Sequence, residues 1–156
     1  MPARNGTDTF SGTSLGPGWE WNFSPDTTKF SINNGLTLYT ATVTNDLYKS
    51  QNTLTHRTDD GYPIGTVEID FSGMADGDSC GLAAFRDSTA WIGVTRSGST
   101  YNLVQVSGAT QDSTNKWATT STGNTMVSKP ISVNKIVESD VTGRQLTYQF
   151  LILHIS

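Results

Sequence analysis

Helix-period hydrophobic patterning is nearly absent from this chain, and so are most of the residues that metal and thiol chemistry need. It has one cysteine and two histidines in 156 residues. A lone Cys80 excludes an internal disulfide. Lying in Ser79-Cys80-Gly81-Leu82, at the start of an apolar strand, it reads as a small buried core residue, the usual fate of a free cysteine. His56 and His154 lack metal-ligand spacing, and no serine elbow accompanies them, so neither a zinc site nor a triad is expected. Basic runs are missing too. Ten Lys and Arg stand against fourteen Asp and Glu, a net charge of −4, which argues against nucleic acid as a partner. No apolar run approaches a membrane span. The opening Met1-Pro2-Ala3-Arg4-Asn5 is polar, without the apolar segment of a signal peptide. Apolar residues make up only 35%, low enough to suit a sheet with one wet face.

What is present is Thr, Ser, Asn and Gly in short alternating runs. Gly35 to Thr40 puts Leu36 and Leu38 on one face. Thr66 to Phe71 puts Val67, Ile69 and Phe71 inward and Glu68 and Asp70 outward. Gly81–Phe85, Trp91–Thr95 and Tyr101–Val106 read as further strands, Lys116–Thr120 as a short one, and Gln145–Ile155 as the last. Asn33-Asn34-Gly35, Asp59-Asp60-Gly61, Asp76-Gly77-Asp78 and Arg96-Ser97-Gly98 separate them, each offering residues that tolerate positive φ. The pattern predicts an all-β fold, an antiparallel two-sheet sandwich forming one domain over residues 1–156, without repeat or linker. Asp8 to Trp19 reads as an opening edge strand and loop.

Several side chains suit a sugar ligand. Trp19 and Trp21 are two apart and share a strand face. Indole rings stack on the flat C–H faces of sugars, whose hydroxyls Asn22, Asp46 and Asn52 could bind. The competing role is core or interface packing, usual for tryptophan. Trp91, between apolar strand residues, is open to the same two readings. Trp117 follows the polar run Asp112 to Asn115 and is the aromatic whose context most favours exposure. Arg57 and Arg86 end strands and join the ligand-binding candidates, or pair with Asp87 as an architectural clamp. Glu68 and Asp70 share a face in a Glu-x-Asp pattern. Retaining glycosidases need two carboxyls roughly 5–5.5 Å apart, and the second glutamate would fall at Ser72 or Gly73. The Asp59-Asp60 and Asp76/Asp78 turns could hold a structural calcium, but a full ligand set is not apparent.

Three blocks in order carry a resemblance: Trp19-Glu20-Trp21-Asn22; the stretch Asn45 to Arg57; and Gly81 to Asp87 with Ala90 to Val94. Together they resemble the C-terminal β-sandwich of family 43 glycoside hydrolases, the β-xylosidases and arabinofuranosidases that trim xylan, over about Thr9 to Tyr148. The resemblance implies a concanavalin-A-like jelly roll placed after a five-bladed propeller that carries the catalytic carboxylates. It implies an accessory domain without catalysis or cofactor of its own, with xylan or xylo- and arabino-oligosaccharides and that propeller as partners, in an extracellular parent. Two alternatives stand beside it: an independent jelly-roll hydrolase using Glu68 and Asp70, and a purely structural interaction module. Two segments depart from the pattern. Asn134 to Asp140 lacks the family's Trp-Leu-Arg-like segment. Residues 149–156 read as an atypical apolar tail without alternation, which implies a sandwich lacking its last strands and left with an exposed edge.

Overall fold

The computed structural model describes residues 6–58, 63–132, 137–142 and 149–155. Short alternating runs bounded by Asn, Asp and Gly form its strands. These are β1 (Trp19–Trp21), β2 (Phe30–Ile32), β3 (Leu36–Leu38), β4 (Leu54–Arg57), β5 (Ile64–Ile69), β6 (Ser79–Phe85), β7 (Ser88–Ser97), β8 (Thr100–Asp112), β9 (Ala118–Ile131), β10 (Val137–Thr142) and β11 (Gln149–Ile155). Among the described residues the only helical element is a single 3₁₀ turn, Leu47–Lys49. Seven strands pair in the order β1-β4-β11-β6-β7-β8-β9, while β5 pairs with β10 and β2 with β3. Every pairing is antiparallel. This is the all-β sandwich that the period-two patterning predicts.

Alternation along β6 and β7 sends side chains to both faces of the large sheet, and each face carries a buried cluster. On one, Cys80, Val94 and Tyr101 pack with Phe71 and Met74, with Ile69 of β5 against them. On the other, Ala83, Trp91, Val104 and Val106 pack with Leu47 of the 3₁₀ turn and with Phe85. The first cluster lies beneath β5. The second lies beneath the segment that leads into β4. Burying such side chains is worth roughly 1.5–3 kcal/mol each, so both layers contribute to stability. Glycine is required where β6 meets β7. Gly81 faces Gly93 across the ladder. A Cβ on Gly93 would meet the Cys80 carbonyl oxygen and lie 2.6 Å from the Gly81 Cα, so the strands approach more closely there than any side chain allows.

The C-terminal stretch follows one of its two sequence readings and departs from the other. Residues 149–155, read both as part of a last strand from Gln145 and as an atypical apolar tail, form β11. It pairs with β4 on one side and β6 on the other. β11 thus lies in mid-sheet, between β4 and β6. Among the described residues the edge strands of the seven-stranded sheet are β1 and β9. β8 and β9 also extend well beyond the runs Tyr101–Val106 and Lys116–Thr120. Thr, Ser and Asn along β9 give little apolar alternation to read, because residues 124–130 are exposed. Residues 8–18, expected to include an edge strand, contain bends and turns only.

Candidate functional site

The block from Thr44 to Arg57 is the most polar part of the interior. Asp46 is buried, its carboxylate accepts the Tyr48 N–H at 3.1 Å, and Lys49 pairs with it at 3.0 Å. Asp46 therefore caps the 3₁₀ turn and seats Leu47 on the sheet. The Tyr48 hydroxyl reaches Thr89 Oγ1 at 2.9 Å and the Ala109 carbonyl at 3.0 Å. Burial pushes the Tyr48 phenol above its ordinary pKa, against the opposing Thr89 hydrogen bond. Asn52, only 2% exposed, sits at φ +56°. Its amide accepts from the Asp26 N–H at 2.8 Å and donates to the Asp26 carbonyl at 2.9 Å. It clasps the β1–β2 loop as a backbone partner would.

Those hydrogen bonds redefine the sugar-binding candidates. Asp46 and Asn52 face the interior, with the groups that could bind hydroxyls already engaged. Trp91 is buried in the second cluster, so it serves packing. Trp19 is half-buried: its indole N–H donates to Asp8 at 2.7 Å and its ring lies against Phe10 and His56. Trp21 lies against Phe30, ring centroids 4.6 Å apart. Asn22 is half-buried, and its backbone N–H donates to the Thr53 carbonyl. Arg57 pairs with Glu20 and Arg86 with Asp87, each at 3.4 Å and at the surface. The clamp imagined between Asp87 and an arginine is thus the local Arg86 pair, while Arg57 has another partner. Trp117 is 58% exposed. The nine candidates are not gathered into one site. Arg57, Arg86 and Trp117 do share one end of the large sheet, at the end of β4, the β6–β7 turn and the β8–β9 turn.

The carboxylates weighed for other chemistry are engaged locally. Glu68 and Asp70 lie exposed at β5, and Glu68 stands opposite Glu138 in the β5–β10 ladder. Asp70 accepts the Ser72 N–H at 3.0 Å, and hydrogen bonds from Ser72 hold its carboxyl below the usual range. A general acid needs the opposite shift. Asp76 accepts the Gly98 N–H and Asp78 the Ala75 N–H, both at 2.6 Å. Asp59 and Asp60 lie outside the described residues.

A feature the sequence did not reveal lies above the 3₁₀ turn. Phe23, Ser24, Thr42, Tyr48, Lys49 and Gln51 line an open groove of about 500 Å³. Phe23 presents a 47% exposed ring. Gln51 ties the walls together, its side chain donating to the Ser24 carbonyl at 2.9 Å and its backbone N–H to Thr42 Oγ1 at 3.1 Å. The groove joins segments far apart in sequence, so only the folded chain displays it.

Comparison with known proteins agrees with this architecture. Residues 7–152 match the family described as Beta xylosidase C-terminal Concanavalin A-like domain. No curated protein sequence matches the chain. Among solved structures, it is similar to an engineered GH43 glycoside hydrolase displaying both endo-xylanase and exo-arabinofuranosidase activity. The TM-score is 0.83 at 28% identity, covering 100% of this chain and 39% of that one. A bifunctional GH43-CE protein of Bacteroides eggerthii shares the fold, with TM-score 0.75 at 19% identity, over 96% of this chain and 23% of that one. The chain thus spans well under half of either structure. It belongs to the β-xylosidase C-terminal concanavalin A-like domain family.

Proposed function

From that membership, we propose that the domain is a non-catalytic accessory module of a xylan-degrading glycoside hydrolase, contacting xylan or its oligosaccharides beside a catalytic propeller. The observation that carries the sugar contact is the groove at Phe23. An exposed ring stands beside amide, hydroxyl and ammonium groups, the mixture that a polyhydroxylated chain requires. The absence of catalysis is supported by Glu68 and Asp70, which lie on an open strand with Asp70 held in its charged form.

The test is calorimetric titration of the purified chain with xylohexaose, with a parallel assay for released sugar. Saturable binding without product, weakened in Phe23→Ala, is the expected result. Released sugar would return Glu68 and Asp70 to the centre of the mechanism. A folded chain that binds no sugar would leave the supporting role alone. That second reading has its own observation: Met126 and Val127 on edge strand β9 are 64% and 44% exposed, apolar surface available to a protein neighbour.

A further inference from the structure

The β8–β9 turn breaks a local rule. Its last four residues close with the Ala118 N–H donating to the Asn115 carbonyl at 3.0 Å. The two central residues, Lys116 and Trp117, sit at φ +53° and +58°. This is a turn of the I′ kind, in which both central positions are left-handed and Asn-Gly is the favoured pair. Gly adopts this conformation freely, whereas a bulky side chain crowds its own backbone. The rest of the turn is tightly held. Asp112 accepts from the Thr114 N–H at 2.8 Å and hydroxyl at 2.7 Å, and the Asn115 N–H donates to the Asp112 carbonyl at 3.2 Å.

Trp117 therefore occupies a glycine position on a firm support, and its 58% exposure leaves that strain without compensating burial. Its neighbours decide what it can bind. Residues 113–118 are all exposed, and every one except Trp117 and Ala118 is polar. A stable protein contact would call for several buried anchors at the centre of a larger patch, and Trp117 is the one large apolar side chain of the turn. A single flat indole ringed by hydroxyl, amide and ammonium groups suits a sugar ring instead, which offers one C–H face and a rim of hydroxyls.

We propose that the Trp117 turn is a stacking platform for a pyranose ring of a neutral polysaccharide chain, a contact separate from the Phe23 groove. This rests on the carbohydrate-contacting reading above. Fluorescence titration with xylohexaose and depletion onto insoluble xylan test it, comparing the unaltered chain with Trp117→Gly, Trp117→Phe and Phe23→Ala, and recording the melting temperature of each. Trp117→Gly should raise the melting temperature by about 2–4 °C through relief of backbone strain. It should also weaken binding by about tenfold, one stacked ring's worth, while Trp117→Phe retains most of the affinity. Gain of stability with loss of binding is the combination that a merely structural tryptophan cannot produce. Unchanged binding in Trp117→Gly, with binding intact in the parent chain, overturns the platform and leaves the broader reading in place. A fall in melting temperature assigns Trp117 a structural role and overturns the platform too. If the unaltered chain binds neither probe, both readings fall together.

Discussion

The Thr44–Arg57 block and the Asp112–Ala118 turn look alike as sequence, each a run of polar residues around one aromatic. The fold treats them oppositely. In the first, Asp46, Ser50, Asn52, Thr53 and Thr55 are buried, and the left-handed position is occupied by Asn52, a residue type that tolerates it. In the second, residues 113–118 are exposed and the left-handed positions belong to Lys116 and Trp117. Polar residues thus hold the interior of one region together and face solvent in the other. What separates the two is whether a sheet lies underneath.

The largest expected effect lies at the clasp of the buried block. Asn52→Ala removes both hydrogen bonds to the Asp26 backbone and places a Cβ residue without local compensation at positive φ. A loss of about 3 kcal/mol in denaturant unfolding is expected. Asn52→Gly keeps the conformation but not the bonds, and should recover about 1 kcal/mol of that loss. Equal losses in the two variants would show that the hydrogen bonds account for the whole effect. A loss under half a kcal/mol in either would erase the contrast with the exposed turn.

Next in size is Tyr48→Phe. The phenol is fixed between Thr89 and Ala109 of two neighbouring strands, so its removal leaves those buried acceptors short of a donor. About 1–2 kcal/mol should be lost, read from the urea midpoint, with the ring's contact with Phe85 retained.

A third effect is set by pH. Burial pushes the Cys80 thiol from 9.0 up to about 12, and burial raises Tyr48 as well. Both groups are neutral when protonated, and both ionise more readily in the unfolded chain. Their stabilisation is complete below about pH 9 and is lost as pH rises from there toward 12. For Cys80 the loss should reach about 1 kcal/mol by pH 10. Urea midpoints at pH 7 and pH 10 should fall further apart in the unaltered chain than in Cys80→Ala. Identical slopes would mean that the thiol does not titrate as buried.

The strands were legible where one face is covered and the other wet, as at Thr66–Phe71. Glu68 on that strand and Asp70 just beyond it are exposed, as the alternation requires. β11 was legible as a last strand from Gln145, but its apolar run without alternation also read as an atypical tail, and its place between β4 and β6 was not foreseen. β9 was underestimated because an exposed edge strand has few apolar residues to mark its course. The resemblance supplied the fold, but it could not separate Asp46 and Asn52 as ligand groups from Asp46 and Asn52 as internal caps. Either role calls for the same side chain in the same loop. The groove at Phe23 was invisible because its walls come from the β1–β2 loop and from Thr42–Gln51.

The smallest effect sharpens the comparison most. Thr114→Ala removes a hydroxyl donor from Asp112 in the exposed turn while the Thr114 N–H bond remains. The Thr114 hydroxyl is the foremost reason that the Asp112 carboxyl lies below its ordinary pKa, with the backbone N–H second. The carboxyl should therefore move part of the way back up, as followed by NMR titration of its side-chain carbon. A depressed carboxyl contributes stability above its unfolded pKa and loses it as pH falls through the folded one. Thr114 is exposed and water can take the place of the lost donor, so the stability lost at neutral pH should be no more than that partial shift carries, a small fall in melting temperature. A hydrogen bond of 2.7 Å in the turn would then show chiefly in titration, whereas one of 2.8 Å at Asn52 governs folding. Similar length with unequal consequence identifies burial, not geometry, as what separates the two regions. A drop in stability from Thr114→Ala as large as that from Asn52→Ala would instead erase the contrast between the two regions.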